Sequence, residues 1–176
     1  MHLHFVLMLA LSALAAPAAA QDFRFEWRGS GGYGFRGAVS FADVPAKGLW
    51  TQDHVRCFEI DGTRDGAPIG RWALGMVTEE TTWQLTFDPE AGAFVTAGPD
   101  WPISQAWNMD GEGMNCGASG FGFNLGDFAQ DICLDNTLIV ESQVPPNTPF
   151  PARETSGHLF GPDACLGSVV VSRQQR

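Results

Sequence analysis

The fold of this chain is decided by residues 22–42, which read DFRFEWRGSGGYGFRGAVSFA. Before the glycine-rich middle of this stretch, large apolar side chains occupy every second position and charged side chains lie between them. After the glycines, the alternation resumes at Phe35 and continues to Phe41. Alternation with a period of two on both sides of a glycine turn is typical of a β-hairpin with one buried face. We therefore expect this hairpin to form one wall of the core, with its arginines facing outward.

Short β-type segments separated by turn signals follow the hairpin. Almost no helical periodicity is present, and we expect about eight to ten strands. This pattern predicts an all-β fold, either a jelly-roll-like antiparallel β-sandwich or a flattened barrel. The expected elements are a strand over 54–60, a turn over 61–66 with two Asp-Gly pairs, a strand through 69–74, a second hairpin over 83–96, strands over 121–125, 132–134 and 138–140, one helical turn within 126–131, a proline-rich extended segment over 144–151, and a final strand over 167–173.

Residues 1–20 form an apolar run that ends in small residues and contains no Asp, Glu, Lys or Arg. This composition predicts a secretory signal peptide cleaved after Ala20, which leaves residues 21–176 as a single β domain with no membrane span. The formal net charge of −10 then belongs to that domain. Such acidity disfavours binding to phosphate backbones, so we expect no nucleic-acid partner. The expected location is the periplasm or the cell exterior.

The four cysteines, Cys57, Cys116, Cys133 and Cys165, all follow the signal segment. An even number of cysteines in an exported chain predicts two disulfides, and the absence of a Cys-x-x-Cys pair argues against a structural zinc site. Three connectivities are possible. The sequence favours a short loop closed by Cys116 and Cys133, and a bond from Cys57 to Cys165 that ties an inner strand to the last one.

The opening motif also carries a resemblance to a known group of proteins. Residues 25–34 read FEWRGSGGYG, and Gly37-x-Val39-Ser40-Phe41 follows. This pattern resembles the start of small secreted bacterial β domains found in PEP-CTERM-type exported proteins, and the likeness extends loosely to about Phe94. The resemblance implies an exported β domain and no assigned catalytic residue. Residues 144–176 contain no Pro-Glu-Pro box and no apolar run of spanning length, so we do not expect the C-terminal sorting signal of that group.

The stretch 98–120 departs from strand periodicity and is rich in glycine and small polar residues, as functional loops often are. Flat aromatic faces beside amide and carboxylate groups are what a sugar-binding surface needs. The candidate ligand-binding residues are therefore Trp101, Trp107, Asn108, Asp110 and Asn115. The alternative is that both tryptophans close one end of the sandwich.

No catalytic constellation stands out in the sequence. Our leading hypothesis is a non-catalytic, exported β-sandwich that acts as a glycan- or surface-binding module. The alternative is a small extracytoplasmic hydrolase whose acid or base is drawn from Glu59, Asp61, Asp110 and Glu112, or which pairs Ser156 with His158. A third hypothesis is a protein interaction through the proline-rich residues 144–151.

No cofactor is expected. Calcium is the alternative, because exported β domains often bind it through oxygen-rich loops. Asp61 with Asp65, or Asn108 with Asp110 and Glu112, are the candidate ligands, although both runs are also ordinary turn formers. The sequence leaves the oligomeric state open.

Overall fold

The computed structural model describes residues 20–96, 103–109 and 116–166. Within these ranges lie thirteen β-strands and two 3-10 helices, at Gln52–His54 and Leu74–Met76. No helix in the described ranges is long and apolar enough to span a membrane. In chain order the strands are β1 (Gln21–Arg28), β2 (Tyr33–Phe41), β3 (Trp50–Thr51), β4 (Val55–Arg64), β5 (Ala67–Ala73), β6 (Trp83–Gln84), β7 (Thr86–Asp88), β8 (Ala93–Phe94), β9 (Ile103–Trp107), β10 (Phe121–Gly126), β11 (Gln130–Leu134), β12 (Thr137–Val144) and β13 (Ala152–Thr155).

The strands form three antiparallel sheets, none of which closes into a barrel. The first sheet has the order β13-β1-β2-β4-β5, the second β12-β11-β10-β9-β6, and the small third sheet β3-β7-β8. The first two sheets pack face to face, since the rings of Trp27 and Phe35 lie 5.2 and 4.9 Å from that of Phe123. The predicted all-β class is confirmed, with open sheets in place of a flattened barrel.

The opening hairpin has the predicted form. β1 pairs with β2 along its whole length, from Gln21 opposite Phe41 to Arg28 opposite Gly34. The aromatic residues of β1 are buried and its arginines are exposed. Gly31 and Gly32 form the turn at φ values of 60° and 78°, which a side chain would disfavour. Local alternation and turn chemistry therefore specify this part of the chain.

Aromatic rings fill the space between the first two sheets. Phe35, near the middle of the first sheet, is 1% exposed. Such rings gain from edge-to-face and offset contacts in addition to the burial of their area. The neighbours of Phe35 come from both sheets and from the loop before β13: Phe25, Trp27, Trp107, Phe121, Phe123 and Phe150.

Two glycines let the sheets approach each other. Gly62 of β4 lies opposite Gly70 of β5, and the ring of Phe121 from the second sheet rests on both. A Cβ atom added at Gly62 would lie 2.3 Å from that ring. The expectation of a turn over 61–66 is therefore wrong in extent: residues 61–64 continue β4, and only Asp65 and Gly66 turn the chain.

Other expectations also need correction. The stretch 98–120 contains a strand, β9, whose Gln105 is fully buried. Gln105 accepts a hydrogen bond from the Thr86 amide and donates one to the Thr86 carbonyl. Because these bonds satisfy its amide group, this polar side chain can lie in the core.

The predicted helical turn within 126–131 is wrong, because residues 130–134 form β11. β13 was not anticipated, and the expected strand over 167–173 lies outside the described residues.

Both disulfides join the pairs that the sequence favours. Cys57 is bonded to Cys165 and Cys116 to Cys133, and no cysteine remains free. The first bond links positions separated by 108 residues. The chain-entropy account predicts a larger stabilisation for such a long loop than for the 17-residue separation of the second pair.

Contrary to expectation, the proline-rich segment before β13 is not extended throughout, because Pro146 and Asn147 form a turn that the hydrogen bond from the Thr148 amide to the Pro145 carbonyl closes at 3.0 Å. Nor is the segment wholly superficial. Pro145 and Pro149 alternate with less exposed positions, and Phe150 is 1% exposed. The Phe150 carbonyl accepts a hydrogen bond from the Phe94 amide, and its ring lies 4.7 Å from that of Phe94. The segment is therefore anchored to the core by one aromatic side chain.

The central position of Phe35 gives a first prediction. Phe35→Ala removes a ring that contacts both sheets and should lower the free energy of unfolding by about 3–5 kcal/mol, measured by denaturant titration with the disulfides intact. Val140→Ala is the control, because Val140 is 64% exposed on β12. We expect it to change stability by about 0.5 kcal/mol or less. Equal costs for the two variants would contradict this account of the core.

Candidate functional site

The outward face of the first sheet carries a concentration of arginines. Because β1 alternates, Arg24 and Arg28 face away from the core, as do Arg36 of β2 and Arg153 of β13. All four side chains are exposed. A chain with a formal net charge of −10 and only ten Lys and Arg residues thus places four of its cations on one face.

Two of these arginines are direct neighbours. Arg24 lies opposite Arg153 in the antiparallel pairing of β1 with β13. Like charges at directly opposed positions destabilise a sheet. No carboxylate in the described part of the chain lies within ion-pair distance of either residue. By contrast, Glu26 is shared between Arg28, at 3.1 Å, and Arg36, at 4.0 Å. The Arg24–Arg153 pair therefore carries positive charge that its neighbours do not neutralise.

The arginines line an open groove. The groove has a volume of 570 Å³ and runs over β1, β2 and β13. Because the sheet forms its floor, the groove is shallow and accessible to a ligand from solvent. The polar and charged side chains that line it are Arg24, Glu26, Arg36, Arg153, Glu154 and Thr155.

Beside the groove lies a hydrogen-bonded cluster around Glu59 of β4. The Glu59 side chain is 11% exposed. Its Oε1 lies 3.0 Å from His158 Nε2, and its Oε2 accepts hydrogen bonds from Arg71, at 3.1 Å, and from the Gly161 amide, at 3.0 Å. Burial by itself raises the pKa of Glu59, but the hydrogen bonds from His158, Gly161 and Arg71 outweigh burial and lower it. Glu59 is therefore an ionised, fully partnered carboxylate.

Arg24 connects the cluster to the groove. Its Nε donates to His158 Nδ1 at 3.2 Å, so Nδ1 must be unprotonated. With Nδ1 assigned as the acceptor, the Nε2–H group of His158 donates the hydrogen bond to Glu59 Oε1. Through His158, the buried carboxylate fixes the guanidinium of Arg24 at the edge of the groove.

The segment that carries His158 is held down by covalent and backbone bonds. Cys165 is bonded to Cys57 of β4, and the Ala164 carbonyl accepts a hydrogen bond from the Phe58 amide at 2.7 Å. A further backbone bond, 2.6 Å long, joins the Gly75 amide to the Asp163 carbonyl. These bonds place residues 158–166 along β4, which explains how a histidine 99 positions away reaches Glu59.

Two of the ligand-binding residues predicted from the sequence serve the fold instead. Trp107 is 0% exposed, with its ring 4.7 Å from that of Phe58 and 4.9 Å from that of Phe123. Because core side chains cover this ring, it cannot stack on a sugar in this structure. Asn108 is 5% exposed, and its Nδ2 donates to the carbonyls of Cys116 and Phe121. Trp101, Asp110 and Asn115 lie outside the described residues and stay predictions.

The candidate catalytic residues are brought together only in part. Glu59 does meet His158, but Ser156 is exposed and forms no hydrogen bond to His158 in the described structure. Both ring nitrogens of His158 are already hydrogen-bonded, whereas a general base needs a ring nitrogen that is free to accept a proton from the nucleophile. Asp61 lies 3.7 Å from Arg71, and burial together with the nearby Glu59 charge raises its pKa against the opposing effect of Arg71. Glu112 lies outside the described residues.

Sequence reasoning missed the cluster for a physical reason. His158 and Gly161 are remote from Glu59 along the chain, so only the favoured Cys57–Cys165 bond could have brought them near it. The ion pair between Glu59 and Arg71 could have been anticipated from the sequence. Arg71 lies on β5 directly opposite Asp61 of β4, because the turn at Asp65 and Gly66 joins these two strands.

Comparison with known proteins does not extend these observations. No model of a protein family, no curated protein and no solved structure matches this chain. The functional interpretation therefore depends on the geometry and chemistry of the outward face itself.

The Glu59 cluster predicts a specific dependence of stability on pH. Since the pKa of Glu59 is lowered by folding, its stabilising contribution is complete above the pKa of an unfolded glutamate, about 4.3, and is lost as the pH falls through the lower folded value. Glu59→Gln should therefore lower the free energy of unfolding by about 2 kcal/mol at pH 7 and by progressively less in acid.

Denaturant titrations at several pH values measure this difference. Glu79→Gln, at an exposed position outside the cluster, is the matched control and should give a small difference at every pH. A Glu59→Gln effect that stays constant from pH 7 to acid would show that the carboxylate charge is not what the cluster stabilises.

Proposed function

We propose that this chain is an exported, disulfide-bonded binding module whose outward sheet face binds an acidic oligosaccharide. The observation that carries the proposal is the Arg24–Arg153 pair, two arginines at directly opposed positions of β1 and β13 that have no carboxylate partner among the described residues and that line an open groove. A ligand carboxylate between them would remove their mutual repulsion. Guanidinium groups match carboxylates in geometry and charge, since each can donate two parallel hydrogen bonds.

The neighbouring side chains fit a sugar. Thr155, Glu26 and Glu154 line the same groove and offer hydroxyl and carboxylate groups to sugar hydroxyls. The two glutamates and the net charge of −10 disfavour a densely charged polymer such as a nucleic acid. A glycan with one carboxylate per binding site suits the groove better, because Arg24 and Arg153 are the two groove-lining arginines without an acidic partner among the described residues, whereas Arg36 lies 4.0 Å from Glu26.

Export is the second part of the proposal. The signal-type composition of residues 1–20, the resemblance of residues 25–41 to secreted PEP-CTERM-associated domains and the two disulfides all support it. Disulfides persist in oxidising compartments such as the periplasm or the cell exterior and are rare in the cytosol.

Isothermal titration calorimetry on the mature protein tests the ligand. We expect a glucuronate-containing oligosaccharide to bind and its neutral glucose counterpart not to bind. Arg153→Gln, at an exposed position with no ion pair in the described structure, should weaken binding by about tenfold or more, because it removes a charge-assisted hydrogen bond. Arg24→Gln should act in the same direction.

Arg56→Gln is the matched control, because Arg56 pairs with Asp43 at 2.9 Å and does not line the groove. Equal affinity for the acidic and neutral sugars, or an unchanged affinity in Arg153→Gln, would refute the proposed site. Binding retained by both arginine variants would instead direct attention to the surface predicted around Trp101, Asp110 and Asn115.

Mass spectrometry tests export. The protein secreted by its native host should begin at Gln21 and contain no free thiol under non-reducing conditions. Recovery of a chain that begins at Met1, or of alkylatable cysteines before reduction, would contradict this part of the proposal. Oligosaccharide binding does not depend on that outcome once the disulfides have formed.

The hydrolase alternative rests on the contact between Glu59 and His158. The same oligosaccharide provides its test, since a hydrolase would release new reducing ends over time. Release that is abolished in Glu59→Gln would establish the alternative, whereas binding without release favours the module.

A further inference from the structure

A second polar site lies on the other side of the molecule, on the outward face of the second sheet. Asn124 of β10 lies directly opposite Asp131 of β11. Their neighbours Phe123 and Ile132 face the core, so these two side chains face away from it. Both are nevertheless buried, with exposures of 7% for Asn124 and 3% for Asp131.

The two buried side chains are incompletely paired. Asp131 Oδ2 accepts a hydrogen bond from Gln143 Nε2 at 3.1 Å. Asp131 Oδ1 and Asn124 Oδ1 have no hydrogen-bond partner in the part of the chain that the structure describes. No Lys, Arg or His of the described residues forms an ion pair with Asp131. Two unsatisfied oxygen acceptors at neighbouring positions are rare in folded proteins, since each buried one is costly.

The Asp131 carboxyl group lies where a charge is costly to bury. Burial raises the pKa of Asp131 to about 6, while the side-chain amides of Gln143 and Asn124 oppose that rise. Among the described residues, no cation lies within ion-pair distance to compensate a charge on this group. A buried charge of this kind requires a counterion.

A cavity gives access to these groups. It has a volume of 270 Å³, and Asn124, Asp131 and Gln143 line it together with the exposed residues Asp127 and Phe128. The presence of two exposed lining residues shows that the cavity reaches the surface. An ion could therefore enter from solvent without opening the core.

We propose that Asp131 and Asn124 supply the inner oxygen ligands of a calcium site, with Asp127 and Gln143 at its outer side. Calcium prefers carboxylate and amide oxygens, and one ion would satisfy both orphaned Oδ1 atoms and neutralise the buried charge. The Gln143 amide can turn its Oε1 inward in place of Nε2. The described residues contain no group of three acidic, histidine or cysteine ligands, so amide oxygens and water complete the set.

This site is separate from the arginine groove and does not depend on it. With one buried carboxylate and a second at the mouth of the cavity, the dissociation constant should fall within the range of extracellular calcium modules, on the order of 10⁻⁴–10⁻³ M. Asp61 and Asp65, which the sequence offered as calcium ligands, are less suitable, because Asp61 already forms an ion pair with Arg71.

Calorimetry and thermal unfolding of the mature protein at pH 7.5, after treatment with a chelator, test the proposal. Calcium chloride should bind and raise the melting temperature, and magnesium should do so less. Asp131→Asn should weaken calcium binding by at least about tenfold. Without calcium this variant should remain folded and be at least as stable as the wild type, because it removes a buried charge.

Asp65→Asn is the matched control and should bind calcium normally, since asparagine tolerates the positive φ of 50° at this turn. Gln143→Glu adds a carboxylate to the cavity and should tighten binding, which a purely structural role of Asp131 does not predict. The proposal is overturned if calcium well above the expected range leaves the wild type unchanged, or if Asp131→Asn keeps full affinity. A stability that changes with pH near 6 but not with calcium would also overturn the proposal, because the carboxyl group would then bind a proton and no calcium ion.

Discussion

The contact of aromatic rings across the two large sheets is the constraint on which the rest of this structure depends. Phe35 and Phe123 interlock between the sheets, and Gly62 and Gly70 leave room for the ring of Phe121. These contacts fix how far apart the sheets lie and how each strand is rotated about its axis. Since side chains alternate along a strand, the rotation that buries Phe23 and Phe25 also sends Arg24 outward. The geometry of the groove is therefore inherited from the packing of the core.

The two outward faces show two solutions to the burial of a carboxylate. Glu59 receives donors from His158, Arg71 and the Gly161 amide, and its pKa is lowered. Asp131 accepts a hydrogen bond from Gln143 but forms no ion pair with a cation of the described residues, and burial raises its pKa to about 6. Both groups lose hydration on folding, so the difference comes from the supply of N–H groups and positive charge around each. The first arrangement satisfies its carboxylate, whereas the second leaves two oxygens without partners among the described residues.

Much of the fold could be predicted because its signals are local. The hairpin of β1 and β2, the segments at β4, β10 and β11, and the class of the fold follow from alternation and from turn residues. β9 could not be recognised, because buried Gln105 interrupts the apolar pattern and is stabilised by Thr86 of another sheet. Gly62 was assigned to a turn since nothing local shows that Phe121 occupies the space beside it. The outward arginines were expected, but the pairing of Arg24 with Arg153 and of Glu59 with His158 depends on long-range register that no local pattern encodes.

The bond between Cys57 and Cys165 has a practical consequence for work with this protein. It fastens the segment that carries His158, and His158 in turn accepts the hydrogen bond that orients Arg24. The thiol state of a cysteine pair is therefore transmitted to a guanidinium group on the surface. Protein purified in a reducing buffer, or produced in a reducing cytoplasm, would present a differently ordered arginine face from the oxidised protein. The redox history of a preparation becomes a variable that any comparison of its surface properties has to record.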